Sequence, residues 1–166
     1  MHPLNLPWIH GPWRLLTRLL ESLQPLAQLA ARLYVGAAFF RSGLTKIQDW
    51  PTTLALFADE YHVPLLPPAV AAPLGTAGEL VLPVLLVLGL GGRFAALGLS
   101  VLNVVAALSL ETLAPAALQQ HQFWGSLLLA LALWGPGALS LERFWPGRRV
   151  AAAPVDAPAA APTSAA

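Results

Sequence analysis

Four apolar stretches, each broken from the next by a short polar or proline-bearing segment, set the pattern of this chain. The first runs from about Leu26, just after Pro25, to about Leu44, and the second from about Ala69, after Pro67 and Pro68, to Leu90. The third runs from Phe94 to about Leu113 and the fourth from Pro115 to Trp134. Each holds roughly 20 residues, the length that crosses a bilayer's hydrocarbon core as a helix. The runs are rich in Leu and Ala and lack period-2 alternation, which excludes β-strands. Gly89 to Arg93 form a tight turn, Pro115 suits the first turn of a helix, and Gly135-Pro136-Gly137 stops one.

The flanks follow a different pattern. From Pro12 to Gln24, Leu15, Leu16, Leu19, Leu20 and Leu23 share one helical face, with Arg14, Thr17, Arg18 and Glu21 on the other. With Trp8 and Trp13 alongside, this predicts an amphipathic helix lying on the membrane surface. The loop from Gln48 to Pro68 contains a short helix from Pro51 to Tyr61, and the Ala/Pro-rich tail has too little to bury to be ordered. The expected fold class is all-α, an integral membrane four-helix bundle with an N-terminal interfacial amphipathic helix. Its parts are 1–25 interfacial, 26–145 four-span domain, and 146–166 disordered tail.

Composition sharpens this reading. The 166 residues are 57% hydrophobic and 10% charged, against about 45–50% and about 25% for soluble domains. The net charge of +1 gives no nucleic-acid footprint. The absence of cysteine removes disulfides, thiolate zinc sites, iron–sulfur ligation and thiol nucleophiles. His62 and His121 are not a matched pair on facing spans, so no haem site is evident, and no zinc or other metal-ligand spacing is found. The first stretch carries Arg32 and Arg41 and lacks a small-x-small cleavage site, so it is not a cleaved leader. Arg14, Arg18, Arg93, Arg143, Arg148 and Arg149 fall on one side of a four-span topology, which predicts both termini in the cytoplasm.

Charges inside the spans are the candidate chemistry. A charge at bilayer depth costs about 2.5–3.5 kcal/mol even on lenient scales, so it faces a partner or a polar site. At about 100° per residue, Arg32, Gly36, Phe39, Gly43 and Lys46 share one face of the first helix. Glu79 shares its face with Ala72, Gly75, Pro83 and Leu86, and Asn103 shares its own with Ala96, Ser100, Ala106 and Ala107. Small residues let such faces approach closely. The expectation is that Arg32 and Glu79 pair, with Asn103 beside them. Pro83 has no N–H for the Glu79 carbonyl, leaving a free acceptor near the carboxylate. The pair reads either as a lock on helix register or as a working site. Asn103 reads as interhelical glue or as a ligand-binding residue.

The order Arg32, Gly36, Phe39-Phe40, Gly43, Lys46, then Phe57 and Pro64, then Gly75, Gly78-Glu79, then Leu88-Gly89-Leu90 and Arg93, resembles the DoxX-type membrane proteins. The resemblance covers about residues 28–140. It implies a four-helix protein of the bacterial inner membrane, with Arg32, Gly43, Lys46 and Glu79 as the matching positions. Some relatives are subunits of thiosulfate:quinone oxidoreductase or of other membrane-associated redox assemblies.

The leading functional expectation is therefore a membrane subunit of a redox-linked assembly, related to quinones or sulfur compounds. It would bind a quinone or small anion among Arg32, Lys46, Glu79 and Asn103, with Gly36, Gly43, Gly75, Gly78 and Pro83 shaping the site. No catalytic residue is assigned. A small proton-coupled exporter using Glu79, and a non-catalytic anchor for a soluble enzyme, are the rival readings. The partners implied are the lipid bilayer and a soluble or membrane redox protein, and a homo-oligomer is compatible with the pattern.

Overall fold

The computed structural model describes residues 7–110 and 112–144, with side chains from Gly11 onward. Five α-helices follow in order: α1 Pro7–Gln48, α2 Trp50–Asp59, α3 Pro68–Leu88, α4 Gly92–Ser109 and α5 Pro115–Trp134. A 3₁₀ turn, Leu141–Phe144, comes last, and there is no strand among the described residues. The tail expected at 146–166 lies outside them.

α1 differs from its expected form. In place of a surface helix followed by a separate span, it runs unbroken for 42 residues through Pro12 and Pro25, about 63 Å at about 1.5 Å per residue. An internal proline costs a hydrogen bond and crowds the preceding turn. Here the flanking Leu, Ala, Gln and Arg residues, all strong helix formers, carry the helix across Pro25. Packing nevertheless changes at that point. Leu15, Leu19, Leu20, Leu23 and Leu26 are all exposed. Burial begins at Gln28 and continues at Arg32, Val35, Gly36, Phe39 and Gly43, the stripe that helical spacing selects.

That stripe lies against α3, α3 packs on α4, α4 on α5, and α5 returns to α1. The α1–α3 seam is close. A Cβ on Gly36 would come 2.7 Å from Cγ2 of Val87, and one on Gly43 would come 2.9 Å from Leu80. Gly78 approaches α4 in the same way, 2.7 Å from Leu102 by the same measure, whereas Gly75 meets only Phe57 of α2 at 3.7 Å. The core between the helices contains Val35, Phe39, Leu86, Ala95, Ala96, Leu99, Leu128 and Leu131.

α3 ends in a Schellman closure, with Leu90 N–H bonded to the Leu85 carbonyl and Gly89 N–H to that of Leu86. Gly89 and Gly91 adopt φ of +68° and +56°, which lets α4 begin at once. At the opposite end, Asp49 caps α2, accepting from the backbone N–H and the hydroxyl of Thr52. Thr53 ties α2 to α1 by donating to the Lys46 carbonyl at 2.9 Å. Phe57 then packs with Ala71 and Ala72, so α2 covers one end of the bundle.

α3 and α4 are long and apolar enough to cross a membrane. Val81 on α3, Val101 and Leu108 on α4, and Leu129 and Leu133 on α5 are large, apolar and exposed. Contiguous apolar surface of this kind is expected where lipid, not water, is the neighbour.

Candidate functional site

The α1–α3 seam determines which charges meet. Glu79 lies opposite Gly43, and Arg32 lies opposite Gly89. These stations are eleven residues apart on α1, about 16 Å along the axis. The expected Arg32–Glu79 pair is not formed, because the helices slide further past one another than span limits of Leu26 and Leu44 imply. Glu79 instead meets the cation about four turns further along the same face of α1. Lys46 Nζ stands 2.6 Å from Glu79 Oε2.

Lys46 Nζ also donates to Ser42 Oγ at 2.9 Å, one turn back on α1. An ammonium carries three protons, and the third has no hydrogen-bond partner among the described residues. The pair is mostly shielded, its side chains 18% and 13% exposed, and it sits one turn inside the cover that α2 makes over Ala71, Ala72 and Gly75. Tyr61, just beyond α2, stacks edge-on against Phe57 at 5.0 Å. Burial pushes the Tyr61 phenol up from its ordinary value, and the carboxylates of Glu60 and Glu79 push it the same way. Glu79 is therefore close enough for its charge to be felt at Tyr61. Asp49, fully exposed at the α1–α2 corner, is held below the usual carboxylate range by its bonds from Thr52.

Arg32 forms a second, separate station. It is 1% exposed, and its Nη2 donates to the Leu139 carbonyl. The segment from Gly135 to Ser140 leaves α5 and crosses this end of the bundle. It presses Pro136 on Gly92, Gly137 on the Gln28 side chain and Ser140 on Gly89. A Cβ on Gly89 would collide with both Ser140 and Arg32 Nη1. Nε and Nη1 of Arg32 have no partner among the described residues.

Asn103 forms a third. Its Nδ2 donates to the His121 carbonyl at 2.9 Å and its Oδ1 meets His121 Nδ1 at 2.8 Å. A carbonyl can only accept, so the amide nitrogen must face it. Oδ1 then faces the ring, and Nδ1 carries the proton. Asn103 thus clamps α4 to α5 and bonds to neither Arg32 nor Glu79. His121 in turn meets Trp124 edge-on at 5.4 Å, and Trp124 meets Phe39 of α1 at 5.6 Å.

The four polar residues expected to converge therefore divide into three places, and only Lys46 and Glu79 meet. Ser42 and Tyr61 are the contributors the sequence reading missed, and His121, weighed there only as a haem or metal ligand, is the partner of Asn103. One signal for the register was legible: Asp49-Trp50-Pro51-Thr52 is a helix start, so α1 had room to continue to Gln48. The Gly135–Ser140 crossing has no comparable signal. Pro83 stands on the seam, its carbonyl 3.5 Å from where a Gly36 Cβ would lie.

Comparison with known proteins adds one identification. No curated protein and no solved structure matches the chain. The family model described as DoxX matches residues 27–112, a stretch that starts where α1 begins to bury its face and takes in Arg32, Lys46, Glu79 and Asn103. With more than half its length under that match, this chain is a membrane protein belonging to the DoxX family.

Proposed function

We propose that this chain is the membrane-embedded subunit of a redox-linked assembly, and that the Lys46–Glu79 pair is its ligand site. In this reading α1 from Gln28 onward, α3, α4 and α5 all span the bilayer. Of these, α1 and α5 carry the most polar groups, Arg32, Arg41 and Lys46 on one and Gln119, Gln120, His121 and Gln122 on the other, while Glu79 lies on α3 and Asn103 on α4. Both termini then lie on the Arg-rich side, the cytoplasmic face of a bacterial inner membrane. The Lys46–Glu79 end then faces outward, and residues 12–24, continuous with the span, carry α1 beyond the bundle on the opposite side.

The observation that supports the site is the ion pair itself. It joins two helices inside the bundle, is neither fully sealed nor open, and leaves one ammonium proton unclaimed. A quinone carbonyl or a small oxyanion is the acceptor such a proton suits. Lys46 would hold that oxygen, Glu79 would orient the ammonium, and Ser42 would fix its position. Tyr61 offers a neutral hydroxyl at the same end, since its phenol keeps its proton beyond the ordinary range. A bound quinone would supply the two-electron chemistry. The chain's own groups would supply orientation and a carboxylate able to take up a proton.

The test is to purify the protein in mild detergent from native membranes and extract its lipid-soluble contents. Quinone retained by the natural protein and lost from Lys46→Met supports the reading. Equal quinone in both, or none in either alongside a bound soluble enzyme, favours the anchor reading instead.

A further inference from the structure

At the end of the bundle away from Lys46, a cleft of about 620 Å³ opens between the α3–α4 turn and the segment that follows α5. We infer that this cleft is a binding site for a phosphate group, sized for the glycerophosphate head of a phospholipid. The inference stands independently of the Lys46–Glu79 site.

The first reason is the start of α4. Its N-cap is Gly91, which has no side chain to satisfy the helix's first amides, and the first backbone bond of the helix is Ala95 N–H to the Gly91 carbonyl. The amides of Gly92, Arg93 and Phe94 are left at the cleft, at the positive end of an 18-residue helix. Such a terminus holds an anion through backbone N–H groups. Arg93 and Arg143 line the same space.

The second reason is Arg32. This guanidinium is 1% exposed and keeps two N–H-bearing nitrogens, Nε and Nη1, without partners. Nη1 lies with Ser140 over Gly89, and Ser140 is a wall of the cleft. A buried donor left open is costly, and a cation so placed adds its field to the cleft. One carboxylate, Glu142, also lines the cleft, next to Arg143. The two lining guanidiniums of Arg93 and Arg143, with Arg32 behind Ser140 and a helix N-terminus, outweigh that charge.

The third reason is size and surroundings. The volume exceeds that of an inorganic anion and falls within the usual range for small-molecule sites, about 300–1,000 Å³. Phe94 lines the cleft and is largely exposed, as is Phe144 just beyond Arg143. An acyl chain could follow a headgroup across those rings.

The test uses the full-length chain, delipidated in a neutral detergent. Native mass spectrometry and thermal unfolding are run with phosphatidylglycerol, with monogalactosyldiacylglycerol as a lipid lacking phosphate, and with inorganic phosphate. Phosphatidylglycerol should stay bound and raise the melting temperature, and the galactolipid should not. Arg93→Gln should weaken retention about tenfold, the effect of one charge-assisted bond, and Arg143→Gln should act in the same direction. Both are exposed and should fold, and Arg41→Gln on a separate surface is the control. Stabilisation by inorganic phosphate as well would support the site with the free anion as a ligand. Stabilisation by phosphatidylglycerol alone supports it with the lipid as the source. Equal binding of the galactolipid, no response to either phosphate probe, or Arg93→Gln and Arg143→Gln both behaving like the natural protein would overturn it.

Discussion

Replacing Lys46, Glu79 and Arg32 singly and in pairs tests which charges are coupled. Glu79→Gln removes a charge and keeps the shape, and Lys46→Met removes the ammonium and keeps most of the stem. The pair is largely shielded from solvent, so stranding either charge should cost about 3 kcal/mol, the lower end for buried pairs. Removing both strands neither, so the double variant should cost no more than either single one, a coupling energy of about 3 kcal/mol between the two sites. That is about 150-fold in the ratio of folded to unfolded protein. Arg32 and Glu79 are about 16 Å apart along the seam, so Arg32→Met and Glu79→Gln should add to within about 0.5 kcal/mol. The assay is reversible unfolding in mixed micelles with increasing denaturing detergent, followed by tryptophan fluorescence. If the Arg32–Glu79 cycle shows the larger coupling, the register described for α1 and α3 is wrong.

Other consequences can be measured independently. In a Tyr34→Phe background Tyr61 is the remaining tyrosine of the chain's two, and its tyrosinate absorbance should titrate above 10.0. A phenol whose pKa is raised by folding contributes stability below its unfolded value, and this is lost as pH rises through the folded value. Glu79→Gln should bring the midpoint down, and an unmoved midpoint would place Glu79 away from Tyr61. Gly36→Leu should cost about 1–3 kcal/mol by overpacking the α1–α3 seam, while Gly75→Ala should be neutral or slightly stabilising because its Cβ finds ordinary contact distance. Equal costs would deny the difference in packing. Asn103→Leu should cost about 1–3 kcal/mol by leaving the His121 Nδ1 proton without an acceptor. Adding His121→Leu should recover much of the loss, and a purely additive double variant would contradict the clamp.

Much of the helical layout was legible because its signals are local. Pro115, Gly135-Pro136-Gly137 and the Gly89–Gly92 turn delimit helices by backbone chemistry alone. The face joining Arg32, Gly36, Phe39 and Gly43 follows from helical spacing, and it is the buried face. What was not legible is long-range register. A helix face says which residues look at a neighbour but not how far two helices slide past each other, and a slide of about three turns, about 16 Å, exchanged Arg32 for Lys46 as the partner of Glu79. Pro25 misled in a related way, because a proline's local cost was outweighed by strong helix formers on both sides. Arg32's real surroundings come from Leu139 and Ser140, more than 100 residues away in sequence, beyond any periodicity.

The central claim is that Lys46 and Glu79 together hold a ligand's oxygen within the bundle. The most direct measurement is a titration of the purified natural protein with a short-chain benzoquinone, read by tryptophan fluorescence and repeated for Lys46→Met, Glu79→Gln and Arg32→Lys. Saturable binding is expected, abolished by Lys46→Met, weakened by Glu79→Gln and left intact by Arg32→Lys. Binding that survives Lys46→Met, or that depends on Arg32 alone, would contradict it.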